Sequence, residues 1–434
     1  MNRTGIPIAH VLLAICYIPG VLYSQDLGAA SCQCEIGCQP LAGGCWWDRP
    51  QLTGDWHGVR PALMQSGMVW EIDHTTFSHG VTAGGIDRRF TFAGHGDYVM
   101  NWDLSKVGLQ EGLFVKLRGE HRYGESISRY DGAFLPATTP TSLPVADSNE
   151  VYLTNVLFTQ FLSESFAVFG GKLDTLDGDV NAFAHRRGKD QFSNMAFVAN
   201  PLLLRSVPYS TLACGFSIVH EAEPIFTFTV LNPTDTTTSA GFNELFAEGV
   251  TLNAEGRIGY DFYGAPGHQL LGGSWSSREY VSLGQDPRIL LPDVPIDQQS
   301  GTWSLYWNAD QYLSMYDCAP GKGWGVFGRA GIADDQANPL AYFLSAGIGG
   351  DSPFYGRQND RFGVGYYYLG TSDEIGVFLQ GALGTIGDGQ GAELFYNYEV
   401  TPWCHLTGNM QVLVPEVEDV DTALLIGLRA KIDF

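Results

Sequence analysis

Charged residues are scarce in this chain of 434 residues, and positive charge is scarcer still. Only 16% of the residues are charged, and 24 Lys and Arg residues face 47 Asp and Glu residues, which gives a formal net charge of −23. Proteins that bind nucleic acid carry clustered positive charge, so this composition argues against a nucleic-acid partner. The sequence also has no uninterrupted run of about 18 apolar residues, which argues against a helical membrane protein.

Local motifs of common enzymes and cofactor sites are missing as well. Gly350-Asp351-Ser352 is not part of a G-x-S-x-G nucleophile elbow, and His220-Glu221 lacks the second His of a zinc-protease helix. Gly363 and Gly365 lie in an alternating segment that does not open a helix, so they do not form a nucleotide-binding loop. We therefore predict a protein that is not an enzyme and that needs no cofactor.

Glycine and aromatic residues are abundant. The chain has 54 Gly, 25 Phe, 20 Tyr and 10 Trp residues, and a disordered chain would have few aromatic side chains. This composition indicates a large β-sheet protein. It does not distinguish a soluble sheet from a sheet with one face in lipid and the other in water, so the order of the residues has to decide.

The first 50 residues predict an exported protein. Residues 1–24 contain one early cation, Arg3, and then a short, interrupted apolar run, as in a secretory signal peptide. Small residues suited to cleavage lie between 24 and 30. Residues 25–50 would then form a cysteine-rich N-terminal segment, and residues 51–434 the main domain.

The cysteine-rich segment predicts local disulfides rather than a metal site. Its cysteines are Cys32, Cys34, Cys38 and Cys45. In an exported chain, four clustered cysteines favour two disulfides, and three pairings remain open. Their spacing matches no standard zinc pattern. Because small residues precede Cys32, attachment of a lipid to the segment is a further alternative.

Alternation of apolar and polar residues dominates the remaining sequence. In the last segment, the apolar face holds Leu424, Ile426, Leu428, Ile432 and Phe434. A period of two residues is that of a β-strand with one apolar face. Similar alternation occurs at 251–262, 302–313, 393–401 and 404–414. These runs last about ten residues or more, which is the length that a tilted strand needs to cross a bilayer.

Seventeen candidate strands can be marked in this way, whereas a bacterial barrel of one chain has an even number. They include 374–384, and the weakest candidates are 96–104, 212–220 and 267–284. We predict an all-β protein, a transmembrane antiparallel β-barrel of 16 strands, with 18 as the next choice. A short helix is expected around 55–65, before the first strand. The alternative of a different class is a secreted, soluble β-sandwich that binds or cleaves polysaccharide.

The candidate strand 112–123 points to a function. Its polar face holds Lys116, Arg118, Glu120 and Arg122. Four charges on one strand face are too costly for lipid and unsuited to a packed core, so in a barrel they would line the water-filled lumen. Glu255 and Arg257 share the polar face of 251–262. Arg and carboxylate side chains match adjacent sugar hydroxyls, whereas a ladder of charges that only hydrates the lumen is the alternative.

Residues 174–210 form a long segment between candidate strands and carry a basic cluster. The cluster comprises His185, Arg186, Arg187 and Lys189. A segment of this length is a candidate to fold into the barrel and narrow it, and an external loop is the alternative. Asp174, Asp177 and Asp179 form a weak calcium candidate, because their spacing lacks the register of a known calcium loop.

Four motifs follow one another along the chain. They are Leu52-Thr53-Gly54-Asp55-Trp56-His57-Gly58-Val59-Arg60, Gly171-Lys172-Leu173-Asp174, Arg361-Phe362-Gly363-Val364-Gly365-Tyr366-Tyr367-Tyr368 and Gly427-Leu428-Arg429-Ala430-Lys431-Ile432-Asp433-Phe434. Together they resemble the carbohydrate-selective outer-membrane porins of the OprB type, over about 51–434. The resemblance implies a barrel of 16 strands through which monosaccharides and related small sugars diffuse. It also implies a narrow point made by Arg, acidic and aromatic side chains.

We therefore predict an outer-membrane porin that lets small carbohydrates diffuse passively through a polar, charge-lined lumen. Its partners would be small sugars and outer-membrane lipid, and it would act as a monomer or a homo-oligomer. A barrel with a purely structural role, without transport, is a third possibility.

Overall fold

The computed structural model describes residues 46–434, except for 287, 289–290, 292, 318, 377–379 and 382–383. The predicted signal peptide and the four clustered cysteines lie outside the described residues. Within the described ranges, no helix is both long and apolar enough to span a membrane.

A short helix and sixteen strands make up most of the described chain. The helix α1 spans Val59–Gln65. The strands are β1 (Met68–Ala83), β2 (Phe90–Asp103), β3 (Leu113–Gly124), β4 (Tyr152–Ser163), β5 (Phe166–Asp174), β6 (Ser210–His220), β7 (Glu223–Leu231), β8 (Thr251–Phe262), β9 (Ala265–Val281), β10 (Gln298–Met315), β11 (Gly323–Ala333), β12 (Leu340–Asp351), β13 (Arg361–Thr371), β14 (Gly389–Thr401), β15 (Cys404–Val414) and β16 (Ala423–Asp433). A second helix, α2, spans Met195–Val198.

The strands form one closed antiparallel barrel in which every strand pairs with its neighbours in sequence. β1 closes the sheet on β16, with Asp73 opposite Asp433 and Gly80 opposite Ile426. A closed sheet leaves no strand edge without partners, as hydrocarbon requires of a β-structure. The predicted barrel, its 16 strands and its short N-terminal helix are confirmed, and the alternative of an open sandwich is not favoured.

The surplus candidate strand is 374–384, and this prediction was wrong. The segment lies between β13 and β14, where its described residues form no strand and Gln380–Gly381 are helical. Three glycines, at 376, 381 and 384, interrupt its apolar residues, and glycine weakens a strand interior. The three candidates that the sequence marked as weakest correspond to β2, β6 and β9, although 104 and 282–284 lie outside these strands.

Alternation along each strand separates the outer face of the barrel from its lumen. On β16, Ile426 and Leu428 point outwards and are exposed, whereas Leu425 and Arg429 point inwards and are buried. Exposed apolar residues on other strands are Ile258, Leu271, Leu305, Leu344, Val364 and Leu406. The outer face therefore suits lipid, while the polar residues on the opposite parity face the lumen.

The connections at the two ends of the barrel differ in length. Connections that follow even-numbered strands are short, as at 164–165, 221–222 and 263–264, whereas 125–151 and 175–209 follow odd-numbered strands. In outer-membrane barrels, the short turns lie on the periplasmic side and the longer loops on the extracellular side. We call 125–151 loop L2 and 175–209 the inner segment.

Both ends of the barrel domain meet at the short-turn end. The backbone N–H of Leu52 donates to the carbonyl of Asp433 at 2.8 Å. The guanidinium of Arg60, on α1, donates to the carbonyl of Phe434 at 2.7 Å and lies 4.4 Å from the centre of the Trp56 ring. These contacts fasten α1 to the end of the closing strand.

Replacing Arg60 by Ala should lower the free energy of unfolding of the barrel by roughly 1.5–3 kcal/mol, because a hydrogen bond from a charged donor is lost. The temperature at which the folded band disappears from an unboiled gel measures this change. Arg88→Ala, at an exposed position in the β1–β2 loop, is the matched control. Equal melting of both variants would show that the contact with Phe434 does not stabilise the barrel.

Candidate functional site

The inner segment lies inside the barrel and packs against one side of its wall. Phe192 lies 4.9 Å from Phe395 of β14, and Phe197 lies 5.9 Å from Tyr367 of β13, measured between ring centres. A Cβ atom added to Gly363 would lie 2.6 Å from the Phe192 ring, and one added to Gly365 would lie 2.6 Å from the Phe197 ring. The glycines of this motif thus allow the rings to approach the β13 backbone.

Buried polar groups fasten the inner segment to the same side of the wall. Arg329 of β11 pairs with Asp179 at 2.9 Å and donates to the carbonyl of Ala184 at 2.6 Å. Arg429 of β16 donates to the carbonyls of Gly188 and Gln191, both at 2.7 Å. Each arginine therefore satisfies backbone acceptors of a segment that has no sheet partner.

A carboxylate of β14 completes this attachment. Glu393 accepts the backbone N–H groups of Ser193 at 2.7 Å and Asn194 at 2.9 Å. The preceding loop L2 is bound to the same place, because Thr139 donates its N–H to the carbonyl of Ser193 at 2.8 Å. L2 and the inner segment therefore fill one side of the lumen as a single packed body.

On the β1–β3 side, the inner segment meets the charged face of β3. Arg118 pairs with Asp174 at 2.9 Å and with Asp177 at 2.7 Å. Arg187 pairs with Glu120 at 2.7 Å, with Asp174 at 3.0 Å and with Asp177 at 2.9 Å. Two guanidinium groups, one from the wall and one from the inner segment, thus share carboxylates.

Lysines and a tyrosine extend these contacts. Lys116 donates to Asp177 at 2.6 Å. Lys189 lies 2.9 Å from Asp73 of β1 and 2.9 Å from Asp97 of β2. Tyr209 donates to Glu120 at 2.6 Å. We call this set the ion-pair cluster; its charged members are Asp73, Asp97, Lys116, Arg118, Glu120, Asp174, Asp177, Arg187 and Lys189.

The charges of the ion-pair cluster nearly balance, with four cations and five carboxylates. Burial alone would raise the pKa of Asp177, but the positive charges of Arg118, Lys116 and Arg187 outweigh burial and hold that pKa well below its usual range. Removing one partner of a buried pair leaves the other charge uncompensated, at a cost of about 3–5 kcal/mol. The cluster therefore stabilises the position of the inner segment.

Backbone geometry also indicates that the position of Arg187 matters. Arg186 and Arg187 have φ values of 50° and 55°, in the left-handed region that costs a residue other than glycine roughly 1–2 kcal/mol. Such strain persists only where surrounding contacts impose it. Here, the three carboxylates that bind the Arg187 guanidinium supply those contacts.

The four predicted charges of β3 point into the barrel, but they are buried and do not line open water. Lys116, Arg118 and Glu120 belong to the ion-pair cluster, since the inner segment covers them. Arg122 instead donates to the carbonyls of Ala146, in L2, and of Gly124. The expectation of a water-lined ladder assumed an empty lumen and did not include L2 and the inner segment.

The basic cluster of the inner segment is divided among different contacts. Arg187 and Lys189 join the ion-pair cluster, whereas Arg186 lies 3.9 Å from Asp190. His185 is buried and its Nδ1 lies 3.2 Å from the carbonyl of Val198. The structure thus places only two of these four residues against β1–β3.

The three aspartates of the calcium candidate do not share one site. Asp174 and Asp177 bind arginines of the ion-pair cluster, while Asp179 pairs with Arg329 and accepts from Asn308 at 2.6 Å. In the part of the chain that the structure describes, no three His, Cys, Asp or Glu residues form a group suited to a metal ion. Arginine therefore occupies the carboxylates that calcium would need.

An open cavity of about 750 Å³ remains on the other side of the inner segment. One face of the cavity is formed by Asp177, Asp179, Asn200 and Tyr209 of the inner segment. The other face is the barrel wall from β4 to β9, with Glu255 and Arg257 among its residues. The cavity also reaches Glu221 and Ala222, in a short turn, so it extends towards the periplasmic end.

Sequence reasoning missed most partners of the predicted charges. Asp73, Asp97, Arg329, Glu393 and Arg429 each bind L2 or the inner segment and were not selected. Each lies on the inward parity of its strand, which is the same signal that marked β3. A strand face with one to three charges is a weaker signal than a face with four, and it does not identify the partners of those charges.

A closed 16-stranded barrel with a segment packed into its lumen and a cavity lined by polar and apolar side chains beside that segment defines the porin class of membrane channel. The sequence comparison narrows this class. Residues 87–434 match the model of the carbohydrate-selective porins of the OprB family, and the chain belongs to that family. The protein is therefore an outer-membrane porin for small carbohydrates.

Solved structures agree with the fold. The high-pH structure of OprB from Pseudomonas putida has a TM-score of 0.77 at 19% identity, over 89% of this chain and 99% of that one. The low-pH structure of Pseudomonas putida OprB has a TM-score of 0.57 at 16% identity, over the same shares. At these identities the likeness concerns the fold alone. No curated protein matches the sequence of this chain.

His185 should make the inner segment sensitive to acid. Burial, assisted by the charge of Arg329, lowers the pKa of His185 to about 4, whereas an exposed histidine has a pKa of about 6.5. Between pH 6.5 and 4, His185 is protonated when the inner segment is released but neutral when the segment is packed. Lowering the pH over this range therefore reduces the free energy that holds the inner segment in place, by up to about 3 kcal/mol. Single-channel conductance should rise or fluctuate over that range.

The variant His185→Gln should flatten this pH dependence, since glutamine keeps a neutral donor at the site. His57→Gln, outside the lumen, should retain it and serves as the control. Identical pH profiles for His185→Gln and the wild type would exclude His185 as the group responsible.

Proposed function

We propose that small sugars cross the outer membrane through the cavity between the inner segment and the β4–β9 wall. The movement is passive, driven by the concentration gradient. The observation that supports this route most directly is the position of the cavity, which has polar groups among the side chains of both faces and extends from the inner segment to a periplasmic turn. A volume of about 750 Å³ lies within the range of pockets that hold small molecules.

In this proposal, the ion-pair cluster sets the width of the path. It fixes the inner segment against β1–β3, so Asp177 and Tyr209 form a stationary face of the cavity. The near balance of charge in the cluster disfavours a strong field for ions of either sign. A path of this kind suits uncharged, hydroxyl-rich solutes better than salts.

The outer face of the barrel is proposed to contact lipid directly. Ile258, Leu271 and Leu428 on this face are each more than two-thirds exposed, at 69%, 68% and 68%. Such exposed apolar area is unfavourable in water and favourable in hydrocarbon. A monomer would present all of it to lipid, and a homo-oligomer would bury part of it between copies.

Liposome swelling tests the transport function. Liposomes that contain the purified barrel should swell at rates that fall as the sugar grows from a monosaccharide to a trisaccharide, while protein-free liposomes should not swell. A folded barrel that shows no swelling with any sugar would support the structural role instead. Detergent-dependent extraction and a heat-dependent gel shift establish that the barrel is folded.

A quadruple variant should release the inner segment from β3 and increase single-channel conductance. In this variant, Ala replaces Lys116, Arg118, Glu120 and Arg122. Sugars should then block the current less, because the cavity loses a fixed face. Arg187→Ala removes the ion pair between the inner segment and Glu120 and should change the conductance in the same direction. Arg288→Ala, in the exposed β9–β10 loop, is the control, and unchanged conductance in both cluster variants would remove the cluster from the constriction.

A further inference from the structure

The wall side of the cavity carries a second group of polar residues, opposite the inner segment. These residues are Glu223, Asn253, Glu255, Arg257 and His268, and all of them line the cavity. They belong to β7, β8 and β9, so none of them is part of the ion-pair cluster. We call them the wall group.

Buried side chains behind the wall group hold its members in place. Tyr306 of β10 donates its O–H to Glu255 at 2.6 Å and lies 3.2 Å from Asn253. Only 2% of Tyr306 is exposed. Its ring lies over Gly272, where an added Cβ would come within 2.2 Å of the ring. The glycine thus allows a tyrosine of one strand to reach a carboxylate two strands away.

His268 is held in a similar way. Its Nδ1 lies 2.8 Å from the buried carboxylate of Asp310, and its Nε2 lies 3.6 Å from Glu223. Glu223 in turn accepts from Arg257 at 3.3 Å. Asp310 therefore orients His268, which together with Arg257 orients Glu223 at the edge of the cavity.

The charges of the wall group alternate, because Arg257 lies between Glu223 and Glu255. Their opposite signs limit the net field at this face. At the same time, a carboxylate and a guanidinium two residues apart on one strand face present acceptors and donors about 7 Å apart. An uncharged solute with hydroxyl groups on both sides of a ring can bind both of them.

An aromatic ring lies on the same wall. Phe169 of β5 lines the cavity, and its ring covers Gly215 of β6, where an added Cβ would lie 2.6 Å from it. Gly215 is two strands from β8, so about 10 Å separates its backbone from that of Glu255 and its neighbours. Thr227 and Thr229 of β7 line the space between them. A sugar ring fits this width, with its C–H face towards Phe169.

We propose that the wall group, together with Phe169, is a binding subsite for an uncharged monosaccharide, separate from the ion-pair cluster across the cavity. Glu255 accepts and Arg257 donates hydrogen bonds to hydroxyls on the two sides of the sugar ring, and Tyr306 and Asp310 are positioning residues. Groups that are already oriented lose little entropy when the sugar binds. The subsite rests on the proposed route, since it requires sugar to enter this cavity.

Sugar block of the ion current in planar bilayers tests the subsite. Increasing concentrations of glucose are added to wild-type channels and to the single variants Glu255→Ala and Arg257→Ala. Each variant should raise the half-blocking glucose concentration by about tenfold, as expected for loss of one hydrogen bond to a charged group. Tyr306→Phe keeps the ring and removes the O–H that orients Glu255, so a smaller increase is expected.

Glu248 and Arg278 form an ion pair at 2.8 Å, and neither residue lines the cavity. The single variants Glu248→Ala and Arg278→Ala are therefore the controls, and their half-blocking glucose concentrations should match that of the wild type. Unchanged block in folded Glu255→Ala and Arg257→Ala channels, or an equal change in the controls, would overturn the subsite. Failure of wild-type liposomes to swell with any sugar would instead overturn the route itself, so the two failures are distinguishable.

Discussion

Every backbone N–H and C=O group in the membrane-spanning wall needs a partner within the protein, because hydrocarbon offers none. The pairing of β1 with β16 meets this requirement by closing the sheet. A closed barrel of 16 strands, however, surrounds a lumen that side chains of the wall alone do not fill. The need to pair the backbone thus creates a wide opening, and the other features of the structure determine how much of it remains open.

The inner segment and L2 fill one side of that opening. Aromatic packing against β13 and β14 holds the segment on one flank, and the ion-pair cluster holds it against β1–β3 on the other. Charges buried in this way are tolerated because each has partners within hydrogen-bonding distance. These attachments lie on β13, β14 and β1–β3, whereas the open cavity lies against β4–β9. The proposed path for a sugar follows from this arrangement.

Family membership explains the class of solute, whereas the chemistry of the cavity depends on individual side chains. The family match covers residues 87–434, and the likeness to Pseudomonas putida OprB, at 19% identity, concerns the fold. Conclusions about Glu255, Arg257 or Arg187 therefore depend on their contacts in this structure. Each of these three side chains is bonded to a residue of the barrel wall: Glu255 to Tyr306, Arg257 to Glu223 and Arg187 to Glu120. This favours a path of constant shape over one that each solute remodels.

The sequence by itself determined the strands of the barrel wall and which of their side chains face the lumen. Strand parity in 421–434 and the inward charges of 112–123 were readable because alternation is a local property with a period of two residues. The same rule wrongly marked 374–384, whose described residues form no strand. Only the tertiary structure decided what the inward charges do: Arg187 meets Glu120 across 67 residues of sequence, and Arg329 meets Asp179 across 150. No sequence periodicity predicts such pairs, because they depend on the position that the inner segment adopts inside the closed barrel.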